Sequence, residues 1–193
     1  MPRRRRRRIW AAGLALVLLT EAGAAAEAAR THFIADRRCW VDALLASIHE
    51  RGPTTTSRDR FVTLSLIGAK QNYVQCIFQD NDTRMLCEAS SGAYRYRDDQ
   101  GKRLDMSRDA VAALKALGFT LPDPKGNFVR EIDLGSPPRL ETATTLMLAG
   151  LYDAYQADAT SILDWNAPMA AIETTRCDLA YFRNVVIEVV PHR

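Results

Sequence analysis

The chemistry open to this 193-residue chain rests first on four cysteines: Cys39, Cys76, Cys87 and Cys177. A thiolate can serve as nucleophile, redox centre or metal ligand, and two thiols can close a disulfide. Spacing separates these uses. A zinc site draws on CxxC pairs or on histidines grouped with cysteine, and His32, His49 and His192 form no such group. A redox pair reads CxxC at a helix N-terminus, and the chain has none. An even cysteine count in an exported chain, argued below, favours structural bridges; buried free thiols are the second reading.

The other candidates are weaker. Residues 80–84, DNDTR, begin like a calcium loop, but no Gly stands at the sixth position and no Glu at the twelfth. They read as a solvated hairpin turn, as do residues 98–101, DDQG. Glu131 and Asp133 share one strand face without a paired carboxylate, which is thin support for acid–base work. Ser107 near Asp109 reads as a helix cap. There is no GxSxG, HExxH or phosphate loop, so neither a catalytic apparatus nor a cofactor is expected. Tyr94 and Tyr96 alternate with Arg95 and Arg97, as a contact surface or the exposed face of an ordinary strand would.

Hydrophobic spacing predicts the elements that hold these residues. Residues 36–50 read as a helix with Trp40, Val41, Leu44, Leu45 and Ile48 on one face, Asp36 at its start and Gly52-Pro53 beyond its end. Alternation predicts strands over 61–67, 73–79, 83–89 and 127–134. A second helix spans 106–117 between Ser107 and Gly118, and a third opens at Ser136-Pro137 and runs to about Tyr155. Residues 158–193 hold a break at Pro168 and a short strand over 184–190.

The hairpin pattern selects its own register. With the turn centred between Asn81 and Asp82, facing residues sum to 163 in number. Cys76 then faces Cys87, Phe78 faces Met85 and Val74 faces Ala89, all on one side. Gln75–Glu88, Ile77–Leu86 and Gln79–Arg84 fall on the other. A one-residue slip would mix the two faces. Directly opposed residues at a non-hydrogen-bonded position lie about 4.5 Å apart at Cα, within disulfide reach. If Cys76 takes Cys87, Cys39 takes Cys177. Cys39 projects opposite the Trp40/Leu44/Ile48 face, so the tail must cross the outer side of the first helix as a strap.

The first 26 residues stand apart. Six arginines precede the apolar run IWAAGLALVLLT, and small residues follow, with Ala24 and Ala26 at −3 and −1 of a cleavage site before Glu27. This order predicts a signal peptide and a periplasmic or secreted destination, with no membrane span after cleavage; an uncleaved anchor is the rival reading. The whole chain carries 26 basic and 23 acidic side chains, net +3. Residues 1–26 hold six Arg and one Glu, which leaves 20 against 22, net −2, in the mature chain. No basic patch with interleaved aromatics remains, so nucleic acid is not an expected partner.

Residues 114–134, LKALGFTLPDPKGNFVREIDL, carry a more specific pattern: a helix ending in LGF, a short Pro-containing loop, an Asn-aromatic-x-Arg strand and then a long helix. With the element order, this resembles the type III secretion chaperone-like superfamily, including bacterial sensory transduction regulators and TY-chaperone-type domains, over residues 36–156. The resemblance implies an antiparallel sheet with helices packed on it, used for dimerisation or peptide binding and without catalysis. The expected fold is α+β: four or five antiparallel strands and three helices in the order α-β-β-β-α-β-α, plus the C-terminal strap. The expected organisation is a signal at 1–26, a domain at 27–157 and the strap at 158–193. The expected function is an exported, non-catalytic binding or chaperone-like protein. Its partner is a protein or peptide client, or a second copy, held through the sheet face or edge by Tyr73, Ile77, Leu86, Tyr94 and Tyr96. A small periplasmic enzyme or a structural envelope protein is the alternative.

Overall fold

The computed structural model describes residues 7–53, 59–69, 71–92, 106–171 and 177–183. Three helices and five strands follow in the order α1 (Arg7–Glu50), β1 (Phe61–Leu66), β2 (Tyr73–Gln79), β3 (Arg84–Ala89), α2 (Arg108–Ala116), β4 (Phe128–Asp133), α3 (Glu141–Tyr155) and β5 (Leu163–Asn166). The strands form one antiparallel sheet, ordered β4-β3-β2-β1-β5.

The β2–β3 register follows the hydrophobic pattern: Val74 faces Ala89, Cys76 faces Cys87 and Phe78 faces Met85. All six are buried, together with Val62, Leu64, Ile132 and Leu163 on the same sheet face. The helices cover this face. Helix α3 supplies Leu146, Met147, Leu148 and Leu151, while α1 supplies Phe33, Trp40, Leu44, Leu45 and Ile48. Helix α2 packs against α3 through Leu114. Its N-cap is Ser107, whose hydroxyl accepts from the Ala110 amide at 3.1 Å. At Gly150 the α3 backbone comes so close to the sheet that a Cβ would lie 2.9 Å from Val74 Cγ2.

Three boundaries differ from those read in the sequence. Helix α1 does not begin at Asp36, which is exposed in mid-helix; it runs continuously from Arg7. The stretch 20–35 is alanine-rich and helix-favouring, so nothing in it stops the helix, and Phe33 and Arg37 extend the buried face by one turn. Helix α3 starts at Glu141, not at Pro137, because residues 135–138 form a turn. The fifth strand is β5, within residues assigned to the strap; its four residues are too few for alternation to announce them. The strand read over 184–190 lies outside the described residues.

Candidate interface on the open sheet face

With the helices on one side, the other side of the sheet presents rows of side chains across the strands. One row is Phe61, Ile77, Leu86 and Glu131; the next is Thr63, Gln75, Glu88 and Val129; a third is Gln79, Arg84 and Asp133. Phe61, Ile77, Leu86 and Val129 are half-buried, whereas Arg84, Glu131 and Asp133 are exposed. An apolar stripe thus crosses three central strands and meets acid at the β4 edge. Arg84 Nε donates to Asp80 Oδ2 at 2.6 Å and Arg84 Nη1 to Glu131 Oε2 at 3.1 Å. The hydrogen bond that Arg84 donates to Asp80, then the charges of Asp80 and Glu131, raise the Arg84 pKa above its ordinary value.

The sheet edges are treated differently. At β5 the main chain of Leu163 is occupied, its amide donating to Tyr181 O and its carbonyl accepting from the Arg183 amide. The Trp165 amide donates to Asp164 Oδ1. At β4, Val129 exchanges both main-chain bonds with Thr120. Residues of the same parity, Glu131 and Asp133, therefore also turn their amides and carbonyls away from β3. No main-chain partner meets them among the described residues.

The hairpin tip holds a feature that sequence reading missed. Asp80, Asn81 and Asp82 are all left-handed, with φ of 48°, 54° and 66°. The turn is not wholly solvated: Asp82 is buried against Arg60, Nη2 to Oδ2 at 2.6 Å, and Arg60 Nη2 also donates to Ile48 O at 3.2 Å. His49 lies beside them, Nδ1 3.4 Å from Asp82 Oδ2, stacked on Phe78. Two acids in the turn and an Arg just before β1 were legible, but not which acid turns inward. Among the described residues, no group of three His, Cys, Asp or Glu is placed to hold a metal ion.

The strap is fixed by several unlike contacts. The Cys39 and Cys177 sulfurs are at bonding distance, with Cα atoms 5.6 Å apart, as are those of Cys76 and Cys87, with Cα atoms 4.0 Å apart. Arg37 is fully buried between the rings of Phe33 and Tyr181, 4.1 and 4.2 Å from their centroids. It donates to Phe33 O, Ala159 O and Ser161 O. Burial is the main influence on Arg37 and lowers its pKa. Trp40 contacts Trp165 and Phe182, and Ser47 exchanges hydrogen bonds with the main chain of Ala171.

Of the residues singled out for partner binding, Ile77 and Leu86 pair directly on the open face. Tyr73 shares that face at its end, and its hydroxyl accepts from Asn127 Nδ2 at 2.8 Å. Tyr94 and Tyr96 lie outside the described residues. Phe61 and Val129 were missed, although placing Val62, Leu64 and Leu66 inward already sends Phe61 to the other side.

A five-stranded antiparallel sheet with its helices gathered on one face, and with the other face uncovered among the described residues, defines an α+β fold. Residues 51–168, more than half of the chain, match the model of the TY-Chap3 family, described as T3SS (YopN, CesT) and YbjN peptide-binding chaperone 3, and the chain belongs to this family. The match runs from β1 to β5, leaving α1 and the strap residues 177–183 outside it. Searches among curated proteins and among solved structures gave no match. Among the described residues, no helix is long and apolar enough to cross a membrane.

Proposed function

We propose that the chain is an exported, non-catalytic chaperone-like protein that holds an extended segment of a protein or peptide partner on the open face of its sheet. The observation that carries this is the stripe Phe61–Ile77–Leu86, which crosses three strands on the face away from the helices. Adjacent apolar side chains at half-burial are an interaction surface in search of cover, and membership of a peptide-binding chaperone family supports the same use.

Export enters this reading from the order of charge, apolar run and small residues before Glu27. Packing agrees with it. Residues 23–29 of α1 are exposed, and the contacts that follow them are made by Arg30, which pairs with Asp153 at 2.8 Å, and by Phe33. Cleavage before Glu27 therefore spares these contacts. The partner is a client or a second copy of the chain.

A photo-crosslinking residue at Leu86 tests the function in the exporting cell. The reading expects a discrete adduct from Leu86 and none from Asp36, on the exposed side of α1. Equal adducts at both positions, or none at Leu86, would contradict it.

A further inference from the structure

We infer that the open half of the β4 edge, from Glu131 to Asp133, is a strand-addition site for an extended segment with a basic–apolar–basic pattern. This rests on the proposed binding of an extended segment and narrows where it binds and what it carries.

The backbone sets the place. Thr120 closes the edge at Val129, so the outward amides and carbonyls of Glu131 and Asp133 are the next positions available to an added strand. An incoming strand takes such groups in alternating main-chain hydrogen bonds. At the opposite edge of the sheet, the strap already occupies Leu163, and Asp164 takes the Trp165 amide.

The side chains set the chemistry. Glu131 and Asp133 point to the open face and are exposed, while Ile132 between them points to the helix side and is buried. A residue added beside Glu131 extends the row Phe61–Ile77–Leu86–Glu131, and one added beside Asp133 extends Gln79–Arg84–Asp133. Among the described residues of these rows and the adjoining turn, the acids Asp80, Glu131 and Asp133 outnumber the one cation, Arg84, which is engaged with Asp80 and Glu131. Local charge is therefore negative. Opposite charges on neighbouring strands attract and like charges repel, so residues beside Glu131 and Asp133 are basic and the one between them, beside Ile132, is apolar. A second copy is a poor occupant: antiparallel pairing of two such edges about Ile132 sets acid against acid. Charge at an edge that deters self-association thus also selects among clients.

The test uses the full exported protein, with disulfides intact, and labelled eight-residue peptides of three kinds. One alternates Lys and Val, one alternates Glu and Val, and the third is the Lys peptide N-methylated at every second amide, made in both phases. Fluorescence anisotropy should give at least tenfold tighter binding for Lys–Val than for Glu–Val at low salt, narrowing as salt rises. The pair E131K and D133K, at exposed positions that leave the fold intact, should reverse the preference. One N-methyl phase should abolish binding and the other spare it. Equal binding of both peptides, or a preference that survives the double reversal, overturns the inference. So does indifference to N-methylation. If neither peptide binds while Leu86 still crosslinks, the edge site is refuted and the face reading stands.

Discussion

Arg60 and Asp82 form a buried bidentate ion pair that ties the β2–β3 hairpin tip to the last turn of α1. Both side chains are almost wholly inaccessible, and Arg60 also donates to Ile48 O. The pair holds three consecutive left-handed residues in place, each a conformation that costs roughly 1–3 kcal/mol for a non-glycine residue. Asp82→Ala would strand a buried guanidinium and should destabilise by about 3–5 kcal/mol. Replacing both partners with apolar residues, Arg60→Met with Asp82→Leu, should cost less than the single change. Urea unfolding of the three proteins decides this; a double variant less stable than Asp82→Ala would contradict it.

Gly150 is where α3 sits closest to the sheet. Alanine favours a helix by about 1 kcal/mol over glycine, yet its Cβ would lie 2.9 Å from the stiff Val74 side chain. Gly150→Ala should therefore be net destabilising, by roughly 1–3 kcal/mol. Val74→Ala in the same chain should recover part of the loss. Thermal melts of the single and double variants measure the coupling.

The two cysteine pairs should differ in consequence. Cys76–Cys87 spans 11 residues between strands already paired, so Cys76→Ala with Cys87→Ala should cost about 1–3 kcal/mol on the chain-entropy account. Cys39–Cys177 anchors the strap, but β5 belongs to the sheet, so its loss should open protease sites only beyond Asn166. Arg37, Trp40 and Ser47 still hold the strap, so Arg37→Met added to the cysteine change should speed that cleavage further. Non-reducing peptide mapping of the exported protein checks the pairing, and a Cys39–Cys76 or Cys87–Cys177 linkage would contradict it.

Much of this was legible in the chain. The hairpin register followed from which partners keep Val74, Cys76 and Phe78 opposite apolar or thiol residues, because a slip of one exchanges the two faces. The Ser107 cap and the left-handed Gly118 were also readable, since each bounds α2 by local chemistry. Residue 163 was not: Leu163 and Trp165 gain meaning only through Leu66 and Leu64, about a hundred residues away. Asp82 was misread for a similar reason. Its partner, Arg60, lies in the segment before β1, and the turn alone gives no sign of it.

Asp158 supplies a pH test. Its carboxylate accepts from the Thr160 and Ser161 hydroxyls and the Thr160 amide, and these bonds hold its pKa below the ordinary value. A lowered folded pKa contributes stability above the unfolded value and loses it as pH falls through the folded one. Asp158→Ala should therefore be less stable than the parent at neutral pH, with the gap shrinking below the ordinary carboxylate range. Urea midpoints from neutral to strongly acidic pH follow it; a gap independent of pH would contradict the assignment.

The central claim is that the open sheet face holds the partner. It is tested most directly by backbone amide NMR of the labelled mature protein, titrated with an unfolded, permanently reduced client. The account predicts shifts confined to the open face and the β4 edge, at Phe61, Ile77, Leu86, Glu88, Val129 and Glu131, with α1 and α3 unchanged. Shifts concentrated on the exposed sides of α1 and α3, with the sheet silent, would contradict it.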